Sequence, residues 1–190
     1  MKTGRLEAFS DGVLAIVITI MVLEMKAPEE TNLKALLDVF PVFLSYLLSF
    51  IYLGIYWNNH HHLLQATQKV NGKILWANLH LLFWLSLIPF ATSWVGENYE
   101  VSEPIALYAF ILLMSAIAYW LLEIELIKFH DENSPLKKIT QRGTKEYLSI
   151  IIYVLAIPVA FFNSWISIAC FIIVAILWIV PDKRLEKFSI

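Results

Sequence analysis

Long runs almost free of charge dominate this chain, and they leave few folds open to it. From about Arg5 to Met25, Phe40 to Trp57, Ile74 to Val95, Ile105 to Leu122, Tyr147 to Phe162 and Trp165 to Val180, apolar residues follow one another with little interruption. A soluble helix buries one stripe and keeps the rest of its circumference polar. A helix that is apolar all round belongs in lipid or at the centre of a bundle. Crossing a bilayer takes about 20 such residues. Only 16% of the residues are charged and 59% are hydrophobic, against about 25% charged in soluble domains. Barrel strands alternate in polarity and these runs do not. The expectation is an all-α membrane protein of six transmembrane helices, one domain over residues 1–190, without linker, internal repeat or low-complexity tract.

The second span is expected to continue through His60, His61 and His62. The last two spans are short. A helix of 16 residues rises about 24 Å, so these two need a thinned bilayer or an extra turn from their flanks. Asn163-Ser164 between them reads as a tight hairpin turn. The basic start running into an apolar stretch is read as a retained helix and not a cleaved signal, because Ser10-Asp11-Gly12 interrupts the run and no small-residue cleavage site follows.

Loop charge sets orientation. Of the 14 Lys and Arg residues, only Lys26 and Lys34 fall in the odd-numbered loops. The other side carries Lys2, Arg5, Lys69, Lys73, Lys128, Lys137, Lys138, Arg142, Lys145, Lys183, Arg184 and Lys187. The positive-inside rule places that side, with both termini, in the cytoplasm. The expected location is the bacterial inner membrane. Trp57, Trp76, Trp94, Trp120, Trp165 and Trp178 fall near span ends, as an interfacial belt requires.

Several function classes find no support. No basic stripe with interleaved aromatics suggests nucleic acid. Cys170 is the single cysteine, so neither an intrachain disulfide nor a Cys-based metal site is available. No nucleophile–base pair or metal-ligand set at credible spacing suggests an enzyme, and no cofactor is expected. His60-His61-His62 invites a metal reading, but successive helical residues point about 100° apart and converge poorly on one ion. A hydrogen-bonded cluster is the expectation. Glu123 and Glu125 are read as solvated or paired with Lys128. The outer loops carry Glu24, Glu29, Glu30, Asp38, Glu97, Glu100 and Glu103, which make that face negative.

The first span holds the most informative pattern. A helix starting at Asp11 would be too short to cross, so the helix must run back through Phe9-Ser10-Asp11. An aspartate inside a membrane helix is costly unless partnered. With Ile16 at zero and 100° per residue, Phe9 falls at about +20°, Gly12 at about −40°, Thr19 at about −60°, Ile20 at about +40° and Leu23 at about −20°. Asp11 falls about 140° away, pointing toward other helices. Arg5 shares the ladder face at the cytoplasmic end. The ladder alone fits ordinary helix packing or a hydrophobic constriction that gates by dewetting.

Arg5-x-x-x-Phe9-Ser10-Asp11-Gly12, followed by Ile16, Thr19 and Leu23, resembles the signature of the lysosomal potassium channel family and its prokaryotic homologues. Trp57-Asn-Asn-His60-His61, Trp76-Ala-Asn78-Leu79 and Pro89-Phe90-Ala-Thr92 extend the resemblance over roughly the first half of the chain. The second half matches only in layout. The resemblance implies a homotetramer of single six-span copies, conducting potassium ions through a pore lined by the first helix. It implies that Ile16, five residues after the motif aspartate, forms the narrow ring, with Thr19, Ile20 and Leu23 beside it. It also implies a packing and gating network of Arg5, Phe9, Ser10 and Asp11 with His60, Trp76 and Asn78. His61 and His80 are further candidate partners for Asp11. The resemblance allows proton conduction too. The competing function is a secondary cation transporter, which usually shows duplicated halves and broken helices at mid-membrane. Pro89 and Pro158 could break helices here, but no duplicated half is visible.

Overall fold

The computed structural model describes residues 3–28, 30–130, 134, 136 and 144–179. All regular structure among them is helical: α1 (Gly4–Leu23), α2 (Leu33–Asp38), α3 (Phe40–Gln65), α4 (Gly72–Ser86), α5 (Ile88–Glu97), α6 (Ser102–Phe129), α7 (Thr144–Ala160) and α8 (Ser164–Ile179). Most of the expected polar loop from His130 to Lys145, and the basic C-terminal residues, lie outside the described residues.

Four stretches are long and apolar enough to cross a membrane: α1, α3, the α4–α5 pair over Gly72–Glu97, and α6. Helices α7 and α8 are shorter, at 17 and 16 residues. Helix α1 passes through Phe9-Ser10-Asp11-Gly12 unbroken. Its 20 residues rise about 30 Å, enough to cross. Helix α3 runs on through the three histidines to Gln65.

Local chemistry explains the boundaries. Asn32 Oδ1 accepts the Ala35 N–H at 2.9 Å and Asn71 Oδ1 accepts the Ile74 N–H at 3.0 Å, capping α2 and α4. Each cap satisfies a backbone donor that the first helical turn leaves open. Leu87 separates α4 from α5, and Pro89 sits at the start of α5. Proline has no N–H to donate back to Leu85, so the span bends there and does not run straight. The expected third span is thus two segments.

Helix α6 is the most enclosed of the four crossing stretches, and Ile105, Ala109, Leu112, Ala118, Leu122 and Leu126 are fully buried along it. It packs against α4, α5, α7 and α8, while α1 lies to the side against α3, α4 and α5. Gly96 lets α5 close on α3: a Cβ there would lie 2.9 Å from the Val42 Cα. Hydroxyls stitch the remaining contacts. Thr92 Oγ1 donates to Ser49 Oγ at 2.7 Å, Ser49 Oγ shares a hydrogen bond with Tyr108 OH at 2.8 Å, and Ser167 Oγ donates to the Ala156 carbonyl at 2.8 Å across α7 and α8. Inside a bilayer such bonds are worth about 0.6 kcal/mol each on average.

Candidate functional site

Helix α1 has two unlike faces. Leu6, Ser10, Leu14, Val17 and Met21 recur every three or four residues and are buried against the rest of the subunit. Their wheel positions cluster around +120° from Ile16, about a third of a turn away. The ladder face is open: Ile16 is 60% exposed, Ile20 40% and Leu23 77%, and Thr19, Phe9, Gly12 and Arg5 are exposed as well. Thr19 Oγ1 donates to the Ile16 carbonyl at 2.8 Å, which holds the hydroxyl against its own helix.

The open face borders a groove between α1 and the kinked α4–α5 pair. Ile16, Ile20, Pro89, Phe90 and Trp94 supply its apolar wall. Ser86, Ser93, Glu24, Lys26 and Glu97 supply polar groups, and Lys26 and Glu97 approach to 3.7 Å. This mixed lining sets α1 apart from α3. On α3 the exposed stripe of Phe43, Leu44, Leu47 and Phe50 is purely apolar, as a lipid-facing wall should be.

Behind the open face lies a polar chain with one consistent set of donors. His60 Nε2 lies 2.7 Å from Asn78 Oδ1, and Asn78 Nδ2 donates to Ser10 Oγ at 2.9 Å. Ser10 Oγ in turn donates to the Leu6 carbonyl at 2.8 Å. Since the Asn78 amide nitrogen is engaged with Ser10, its oxygen must accept, and His60 carries its proton on Nε2. All three side chains are buried. They join α1, α3 and α4 at one point, while His60 Nδ1, also buried, has no hydrogen-bond partner among the described residues.

A second set of contacts joins α1 and α3. Trp57 Nε1 donates to Asp11 Oδ1 at 3.0 Å, and the Trp57 and His61 rings stack at 5.8 Å. Gln65 Nε2 donates to His61 Nε2 at 2.8 Å, so His61 Nδ1 holds the proton that points to Glu7 Oε1, 3.1 Å away. His60 turns to Asn78, while the His61 and His62 rings meet with centroids 5.7 Å apart. Among the described residues no three His, Cys, Asp or Glu side chains gather in a way that could hold a metal ion.

Of the residues expected in the network, Ser10, His60 and Asn78 meet directly. Asp11 bonds to Trp57, which sequence reasoning did not offer as its partner. The available signal was an interfacial tryptophan ending the neighbouring span. Trp76 is 75% exposed and, like Arg5 and Phe9, makes no side-chain hydrogen bond or ion pair among the described residues. His80 accepts from Trp84 Nε1 at 2.9 Å instead of reaching Asp11. Lys128 and Glu125 pair at 3.2 Å, as expected.

Residues 5–89 match the family described as endosomal/lysosomal potassium channel TMEM175. A protein of Chryseobacterium sp. named as a potassium channel is 58% identical over 98% of this chain and 97% of its own length. The crystal structure of a lysosomal potassium-selective channel TMEM175 homolog from Chamaesiphon minutus superposes with a TM-score of 0.82 at 28% identity, covering 95% of this chain and 98% of that one. The endosomal/lysosomal proton channel TMEM175 of Gallus gallus is 31% identical over 54% of this chain, which spans 23% of that longer protein.

Proposed function

Because the chain belongs to the endosomal/lysosomal potassium channel TMEM175 family, we propose that it is one subunit of a passive, potassium-selective channel whose conduction path runs along the open face of α1. The observation that carries this reading is the division of α1 into a face buried by its own subunit and an open ladder of Ile16, Thr19, Ile20 and Leu23. That ladder needs an occupant from outside the subunit. The mix of serines and charged groups along the adjoining groove favours a hydrated occupant over lipid.

Four copies around an axis would turn the ladder into stacked rings. A ring of isoleucine side chains resists the passage of an ion with its hydration shell and opens steeply as its radius grows. Thr19 is the one hydroxyl on that surface able to share in hydration. The acidic outer loops would concentrate cations at the mouth. The loop charges favour six crossings with both termini in the cytoplasm, with α7 and α8 as the short final pair, and the likeness to bacterial potassium channels favours a bacterial inner membrane. The Gallus gallus relative carries protons by name, so proton permeation is the second activity to measure.

The test is Ile16→Asn in reconstituted bilayers. A polar ring should raise current and lower potassium-over-sodium permeability, read from reversal potentials. Unchanged selectivity would remove Ile16 from the filter. Unitary current steps would exclude the transporter class, whereas saturable coupled flux would establish it.

A further inference from the structure

A second cavity, away from α1, lies among α3, α6, α7 and α8. It encloses about 60 Å³. A single water needs only about 10–15 Å³, so there is room for the head of a small organic cation. The cavity sits near one end of the bundle. Asn59 and Glu123 each lie about two turns before the ends of their helices, Glu146 is in the first turn of α7, and Trp178 is in the last turn of α8. That is the depth at which an interfacial headgroup or a solute from the adjoining water can enter.

The lining is unusual for a membrane interior. Aromatic residues, among them Tyr56, Tyr119, Tyr153 and Trp178, line it together with Glu123 and Glu146. Tyr56 and Tyr119 meet edge to face with centroids 6.1 Å apart. Trp178 is fixed by donating Nε1 to Ser149 Oγ at 2.8 Å, and Ser149 donates to the Lys145 carbonyl at 2.8 Å. Against this aromatic wall stands Glu146, whose Oε2 is buried without a hydrogen-bond partner among the described residues. Asn59 donates its amide nitrogen to the Ile55 carbonyl at 3.0 Å, which leaves its oxygen as a second acceptor at the cavity.

A buried carboxylate oxygen without a donor is expensive to leave that way. The surroundings say what donor would suit it. A divalent ion asks for six or more oxygens, usually with several carboxylates among them, and no three His, Cys, Asp or Glu side chains gather here among the described residues. An alkylammonium group needs only one or two acceptors for its N–H bonds. Its methylene groups and remaining charge sit well against tyrosine and tryptophan rings. We propose that this cavity binds an alkylammonium cation, with Glu146 as the charge partner and Tyr56, Tyr119, Tyr153 and Trp178 as the aromatic wall. The amine is either the headgroup of a membrane lipid or a soluble primary amine, since both present the same atoms.

Two measurements on the purified full chain separate the sources. Equilibrium dialysis with radiolabelled ethylamine at constant ionic strength reads the soluble amine. Native mass spectrometry in detergent with phosphatidylethanolamine or phosphatidylglycerol of matched acyl chains reads the lipid. Saturable ethylamine binding that weakens at least tenfold in Glu146→Gln, with no preference between the lipids, supports a soluble ligand. Selective retention of phosphatidylethanolamine that falls at least tenfold in the same variant supports a headgroup. Tyr119→Leu, which removes wall and keeps charge, should weaken either by a smaller factor, and it serves as the test if Glu146→Gln does not fold. The proposal is overturned if the wild-type protein shows neither behaviour, or if binding is indifferent to both substitutions, which would place the amine elsewhere, such as beside Ile16.

Discussion

Asn78 donates its side-chain amide to Ser10 Oγ at 2.9 Å, and this bond ties the back of α1 to α4. With Ser10 fixed, the face about a third of a turn away on the same helix is turned outward, and Ile16 and Leu23 stand open on the subunit surface. The polar chain behind α1 therefore sets the rotation of the ladder in front of it.

Breaking that chain at its middle should be costly. Asn78→Leu leaves the His60 Nε2–H buried without its acceptor and removes the donor to Ser10. At about 1–3 kcal/mol for each buried group left unpaired, a clear fall in melting temperature in detergent is expected. Ser10→Ala removes one bond at the end of the chain and should cost about 1 kcal/mol. Equal losses from the two variants would contradict the central role given to Asn78.

Asp11 and Trp57 should be coupled. Asp11→Asn keeps the acceptor oxygen and removes the charge, and Trp57→Phe removes the indole donor. A double-mutant cycle in thermal stability should give a coupling of about 0.5–3 kcal/mol. Additive effects would show that the 3.0 Å contact contributes nothing.

Two glycines should respond with opposite signs. Gly96→Ala places a Cβ 2.9 Å from the Val42 Cα, and overpacking of this kind costs about 1–3 kcal/mol. Trimming Val42 to alanine should restore little, because the clash is with backbone. Gly54 lies inside α3 with nothing within 4 Å of its added Cβ. Gly54→Ala should stabilise by up to about 1 kcal/mol through helix propensity. Melting curves of the three variants check both signs.

Much of this was legible in the sequence, for identifiable reasons. Hydropathy specifies membrane helices because lipid supplies no hydrogen bonds to unfolded backbone, and α1, α3 and α6 lie where the apolar runs put them. The continuation of α1 through Asp11 followed from the length needed to cross. The bend at Leu87 was implicit in Pro89, although the span was expected whole. The short α2 was missed: Asn32 is a good cap, but six residues carry too little periodicity to read. The partner of Asp11 was missed for a different reason. A helical wheel states the direction in which a side chain points and not which neighbouring helix lies there, so Trp57 could be identified only once α1 and α3 were packed. The same limit hid the cavity around Glu146, whose walls come from four helices, α3 and α6 lying far from α7 and α8 along the chain.

The central claim is that Ile16 faces the conduction path, and cysteine accessibility during current recording tests it most directly. In a Cys170→Ala background, Ile16→Cys should be blocked by a charged methanethiosulfonate reagent, while Leu14→Cys, on the buried face and away from the groove, should be unaffected. If Ile16→Cys is modified, as shown by its mass shift, and the potassium current does not change, Ile16 faces lipid or another surface and the α1 pore is refuted.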